Sequence, residues 1–277
     1  MNEIGIFAKT FARADVSAVL AAVRDTGLSL VQFNMACAGL PSLPDHVDDA
    51  HRYAIRSALA QTGVRVAGLS ATFNMIHPDR QERQRGLARL RVLADCCRPL
   101  GTRLLTLCTG SRHPTDMWTA HPRNGQPDAW RDFRATLDDA LRIADDYDLL
   151  LGIEPEPANV VSDTNRAQRL LREVASPRLT IVFDPANLFA QEPEPAIRER
   201  LTRGLDQLGD RLSLVHAKDR DAAGQVVAAG RGRLPYPFFV AELQRIGYTG
   251  PLILHGLPET DVAGSVAFLR TLLPQTT

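Results

Sequence analysis

Eight times along the chain a short apolar run gives way to a longer segment of helical periodicity, and no other property of the sequence narrows its fold as much. The runs lie at 3–7 (EIGIF), 28–33 (LSLVQF), 64–70 (VRVAGLS), 103–108 (RLLTLC), 149–154 (LLLGIE), 179–184 (LTIVFD), 212–218 (LSLVHAK) and 251–255 (PLILH). The segments that follow, 15–26, 45–62, 79–100, 128–147, 165–175, 194–209, 235–246 and 261–273, are of helix length. Parallel strands need such crossovers, so the alternation predicts an α/β protein with one parallel sheet. Asp15 is placed to cap the first helix, and Gly27, Gly63, Gly101 and Gly247 stand where helices stop before the next strand. No G-x-G-x-x-G follows the first run, which argues against an open nucleotide-binding sheet. Eight units in 277 residues fit a single (β/α)8 TIM barrel spanning 1–277, for which about 250 residues is typical.

Charge and composition exclude several classes of function. Lys+Arg and Asp+Glu are both 32, so no basic field exists to attract nucleic acid. No apolar run approaches the roughly 20 residues of a membrane span, and MNEIGIFAKTF does not read as a signal peptide, so a cytoplasmic protein without a membrane partner is expected. Cys37, Cys96, Cys97 and Cys108 lack C-x-x-C spacing and are expected to be reduced thiols.

Four of the runs end in side chains of metal-binding type: Glu154, Asp184, His216 and His255, separated by 30, 32 and 39 residues. In a closed barrel these ends share one mouth, where barrel enzymes place their chemistry. Each has a plainer reading. Glu154 can be a loop glutamate, Asp184 a helix cap ahead of Pro185, and His216 a satisfied core histidine. Jointly they predict one divalent metal held by two carboxylates and two imidazoles. That donor set suits Mn2+ first, with Co2+, Fe2+, Zn2+ or Mg2+ as alternatives, and is poor for Ca2+.

Further candidates surround the same mouth. Glu156 shares the strand phase of Glu154, Lys218 shares that of His216, and Asn187 lies one tight turn beyond Asp184. Glu259, in the loop after the last strand, is an alternative to His255. Asn74 and His77 follow the third strand and are candidates for binding substrate hydroxyls or for capping a helix. Arg231 and Arg233, in AAGRGRL, are candidates for a polyhydroxylated or anionic substrate. The long segment 109–127, with His113, Trp118 and His121, is expected to cover the substrate.

GIEPEP, IVFDPANL, LVHAKD, AAGRGRL and LILHGL together resemble the xylose isomerase-like barrel superfamily, often labelled sugar phosphate isomerase/epimerase, over essentially the whole chain. The resemblance implies a single (β/α)8 barrel with one divalent metal at the ends of strands 5 to 8, in a family that includes ketose 3-epimerases, hydroxypyruvate isomerase and inosose dehydratase. It carries ligands onto Glu154, Asp184 and His216. At the fourth position the family's epimerases have a glutamate and this chain has His255. The family's Asp-x-x-His becomes Asp184-x-x-Asn187, which implies a substrate other than a free ketohexose. Barrels of this family are often dimers or tetramers.

The expected activity is therefore a divalent-metal-dependent isomerase or epimerase of a sugar, keto-sugar or cyclitol, acting by proton abstraction next to a carbonyl through a metal-bound enediolate. Glu154 is the first candidate for the base; Glu156, Glu259 or His255 would return the proton, and Lys218 would steady the oxyanion. A metal-dependent dehydratase or lyase of a keto-cyclitol or 3-keto-glycoside is the alternative within the same chemistry. A non-catalytic sugar-binding barrel is the alternative of another class.

Overall fold

A computed structural model of the protein describes residues 2–273. The eight expected strands are present as β1 (Ile4–Phe7), β2 (Leu30–Phe33), β3 (Arg65–Ser70), β4 (Leu104–Cys108), β5 (Leu150–Glu154), β6 (Leu179–Phe183), β7 (Leu212–Ala217) and β8 (Leu252–Leu254). Every neighbouring pair is parallel, and β1 closes on β8 through Ile4 opposite Leu252. The helices between them are α1 (Val16–Asp25), α2 (Asp49–Thr62), α3 (Arg80–Cys97), α4 (Pro127–Asp146), α5 (Thr164–Val174), α6 (Glu194–Leu208), α7 (Tyr236–Arg245) and α8 (Val262–Leu272). The fold is a single (β/α)8 TIM barrel.

The local signals act as expected. Asp15 accepts a hydrogen bond from the Ala18 N–H at 2.9 Å and starts α1. Gly63 ends α2 at a φ of 66°, a left-handed turn that lets the chain enter β3 at once. The four cysteines are free and buried. Among the described residues no helix is long and apolar enough to cross a membrane.

The inward positions of the strands position the site. Leu30, Leu104, Val182, Leu214 and Ile253 form a buried apolar cluster inside the barrel, with Phe7 and Leu150 packed against it. Side chains alternate faces along a strand, so the next inward residue lies two positions on. Those residues are Gln32, Thr106, Asp184, His216 and His255. One further step reaches Cys108 on β4 and Lys218 beyond β7; on β5, Glu154 lies two steps above Leu150. The interior thus changes from apolar to polar along the same strands.

Candidate metal centre

Three successive strand ends bring unlike donors to one point. Glu154 ends β5, Asp184 follows β6 and His216 lies in β7, and one ligand-type atom of each falls within 4.8 Å of the other two. Asp184 and His216 are buried at 3% and 0% exposure. His216 Nδ1 stands 3.4 Å from Glu154 Oε1 and 3.6 Å from Asp184 Oδ2, and it is buried without a hydrogen-bond partner. Buried polar atoms are normally satisfied, so an orphan facing two carboxylates needs a reason. Atoms bound to one cation at about 2.1 Å lie roughly 3 to 3.5 Å from each other. The spacing fits a shared divalent cation, and so does the mixed nitrogen and oxygen donor set.

The electrostatics agree with that fit. Burial alone would lower the His216 pKa, but the Glu154 and Asp184 carboxylates outweigh it and raise it to about 9. Burial would raise both carboxyls, yet Glu154 is held low by His216, and Asp184 is held far below its usual range by Lys218 and His216. Lys218 Nζ donates to Asp184 Oδ2 at 2.8 Å and to Asn187 Oδ1 at 3.3 Å. Burial opposes the Lys218 charge, but Asp184 and Glu154 keep it protonated. The centre gathers anionic groups in a buried place, where positive charge is favoured.

Asp184 satisfies both of its readings. Its Oδ1 accepts from the Ala186 N–H at 2.9 Å and caps the 3-10 turn Pro185–Leu188, while Oδ2 faces the centre. Asn187 ties its neighbours together: Nδ2 donates to Glu154 Oε1 at 3.3 Å, to the Pro155 carbonyl at 3.1 Å and to Glu156 Oε2 at 3.1 Å. Glu156 therefore lies on the same side as Glu154. Burial, and then the Glu154 charge, raise its pKa.

His255 lies beside the three-residue group. Its donors are not in the three-residue group, and its ring lies flat against His216, with centroids 4.6 Å apart and planes at 16°. Phe7 stacks on it at 5.0 Å and 25°. Burial, followed by the charge on His216, lowers the His255 pKa to about 4, so the imidazole is neutral. Glu259 also lies apart: Arg13 holds it in a two-pronged pair at 2.5 and 2.9 Å, and its side chain is 42% exposed.

The candidates for substrate contact in other loops make hydrogen bonds within the protein. Asn74 accepts from the Ile76 and Ser111 N–H groups and donates to the Ser111 carbonyl. His77 accepts from the Asp79 N–H and donates to the Pro114 carbonyl. Both fasten the segment after β4, and Gly110, at a φ of 82°, lies so close to Asn74 that a Cβ there would collide with Asn74 Oδ1. That segment is packed in place, with Ser111, Arg112 and Asn124 buried and Asn124 bridging Arg112 N and the Ala158 carbonyl. His113 and His121 accept from neighbouring backbone N–H groups, and Trp118 stays 54% exposed. Arg231 is exposed beside Asp261, and Arg233 holds the Glu192 carbonyl. The glycine-arginine loop is pinned from beneath by Asp219, which is fully buried and accepts from the Arg220, Gly232 and Leu234 N–H groups.

Three inward residues escaped the sequence reading. Gln32 on β2 and Thr106 on β4 lie on the level of His216, and the Cys108 thiol sits 3.7 Å from Glu154 Oε2. Burial keeps that thiol protonated. The available signal was a polar residue at an inward position of otherwise apolar runs, LVQF and LLTLC.

A closed parallel barrel whose mouth joins two carboxylates and an imidazole defines a barrel with a candidate divalent-cation site. The chain belongs to the xylose isomerase-like TIM barrel family, whose model matches residues 7–272. Among solved structures it is similar to the apo form of 3-keto-D-glucoside 4-epimerase from E. coli, at 17% identity, 98% coverage of this chain and 100% of that one, with a TM-score of 0.77. D-allulose 3-epimerase from Methylomonas sp., in complex with D-allulose, gives 17% identity, 98% and 97% coverage and a TM-score of 0.76. A xylose isomerase-like TIM barrel protein from Mycobacterium smegmatis, in complex with magnesium, gives 17% identity, 92% and 87% coverage and a TM-score of 0.69. The sequence matches no protein of curated function.

Proposed function

We propose that the protein is a divalent-metal-dependent isomerase or epimerase of a sugar, keto-sugar or cyclitol. The observation that carries this reading is the buried, partnerless Nδ1 of His216 facing Glu154 and Asp184 from the neighbouring strands. We assign Glu154, Asp184 and His216 as the metal ligands, with His255 as a stacked wall of the mouth and not as the fourth ligand. A bound divalent cation supplies Lewis acidity, which makes a carbon next to a carbonyl more acidic. Glu154 is the carboxylate base that removes the proton. Glu156, joined to Glu154 through Asn187, is the group that returns it. Lys218 presents a buried ammonium beside Asp184, where it steadies oxyanion charge as it develops.

The sugar epimerases among the similar structures support a carbohydrate substrate and bring 3-keto-glucosides into consideration. One feature favours a dehydratase or lyase as a second reading. His255 stands where the resemblance implies a glutamate, so the centre lacks the second carboxylate of a two-glutamate epimerase. Both readings begin with the same proton abstraction.

The test is to incubate Mn2+-loaded protein in D2O with ketoses, inososes and 3-keto-glucosides and follow each by NMR and mass spectrometry. Deuterium at one carbon beside the carbonyl, with an epimer or isomer formed, is the expected result. Loss of water or of the aglycone assigns the dehydratase or lyase. No deuterium and no product across the panel overturns the enzyme in favour of a sugar-binding barrel.

A further inference from the structure

The orphan nitrogen of His216 has a counterpart on the other side of the ring. His216 Nε2 is 2.9 Å from Gln32 Oε1, and Gln32 Nε2 donates to Thr106 Oγ at 3.1 Å. All three side chains are buried, at 0%, 4% and 3% exposure, and they come from β7, β2 and β4, so the chain of bonds crosses the barrel interior. The Gln32 carbonyl can only accept, so Nε2 carries a proton, and in the neutral imidazole that a metal binds the free lone pair is the one on Nδ1. That is the nitrogen aimed at Glu154 and Asp184. A metal-bound histidine commonly has its other nitrogen held by such an acceptor, which fixes the tautomer and the ring.

The register of β2 against β3 shifts beside this contact: Val31 pairs with Val66 and Gln32 with Gly68, so the extra residue is Ala67 on β3. A glutamine in an apolar strand is a burden unless its amide is satisfied at both ends, and here Thr106 and His216 do so. The acceptor is also uncharged. The partner of His216 is an amide where many sites use a carboxylate, so it adds no further negative charge beside Glu154 and Asp184.

We propose that Gln32 is a positioning residue that selects Nδ1 of His216 as the ligand atom, with Thr106 orienting the Gln32 amide. The proposal rests on the assignment of Glu154, Asp184 and His216 as the metal centre. It is tested by calorimetric titration of Mn2+ into the metal-free full chain and by 15N NMR of histidine-labelled, Zn2+-loaded protein. In the wild type, Nε2 of His216 should carry a proton and Nδ1 none. Gln32→Leu should weaken Mn2+ binding by about 10- to 100-fold. Gln32→Glu, which keeps an acceptor, should bind close to the wild type. A proton on Nδ1 in the zinc form, Gln32→Leu binding as tightly as wild type, or Gln32→Glu binding as weakly as Gln32→Leu would each overturn the role of Gln32. Should Gln32→Leu not fold, the wild-type spectrum and Gln32→Glu decide. Failure of the wild type itself to bind Mn2+ would instead remove the centre, and this proposal with it.

Discussion

The lower and upper levels of the barrel interior are built from the same strands two residues apart, and they obey opposite rules. Leu30, Leu104, Val182, Leu214 and Ile253 fill the lower level with apolar atoms that need no partners. Above them Gln32, Thr106, Asp184, His216 and His255 are polar; Gln32, Thr106 and Asp184 are hydrogen-bonded, while Nδ1 of His216 and Nδ1 of His255 are buried without a partner. The difference separates scaffolding from chemistry. Polar groups that satisfy one another, such as Asn74 with Ser111 or Asp219 with its three N–H donors, hold loops. An unsatisfied atom among convergent charges points to a group that is still to come.

The comparison is broken most directly at Glu154. Glu154→Gln keeps the shape and removes the charge and the basic oxygen, so turnover should fall by about 10²- to 10⁴-fold, or roughly 3 to 5 kcal/mol in the barrier. Far-UV circular dichroism and thermal unfolding should stay close to the wild type, because the charge removed takes no part in the apolar packing of the core. Unchanged turnover on a substrate found in the D2O panel would remove Glu154 as base.

Leu104→Ala is the converse. Leu104 is 6% exposed, its side chain lies against Gly68 and Gly152, and only Thr106 and Cys108 stand above it on β4. Truncation should cost about 2–5 kcal/mol of stability, read from urea unfolding, through lost transfer energy and the cavity left behind. Mn2+ affinity in calorimetry should be retained. A large loss of affinity with little loss of stability would mean that the two levels do not divide scaffolding from chemistry.

How much of this was legible in the sequence follows the same division. The eight runs and their helices were readable because burial imposes a period of two on strands and a wider period on helices, whatever the partners are. Glu154, Asp184 and His216 were readable for the same reason: a polar residue ending an apolar run has one place to point. The contact of Gln32 was not readable, since its partner His216 is 184 residues away and only closure of the barrel brings β2 and β7 to face each other. Asn74 and His77 lie at the expected strand end, but their partners Ser111 and Pro114 come from a loop whose path only tertiary packing determines. For His255 strand alternation indicates the level and not the direction of the ring, which is set by stacking between Phe7 and His216.

The smallest expected effects are the sharpest test of which side chains complete the centre. His255→Phe keeps an aromatic ring of similar size between Phe7 and His216 and deletes both nitrogens. If the ring serves as a wall, bound manganese measured by elemental analysis stays near the wild-type content. Glu259→Gln should do even less, because Arg13 already occupies both carboxylate oxygens at the exposed edge of the barrel, and exposed pairs of this kind contribute little. Manganese lost in His255→Phe alone would mean that the imidazole turns out of its stack to bind. Manganese lost in Glu259→Gln alone would mean that the Arg13 pair opens and the loop after β8 folds inward. Retention in both leaves three protein ligands, which is the arrangement that keeps coordination positions open for a substrate, as catalytic sites do and closed structural sites do not.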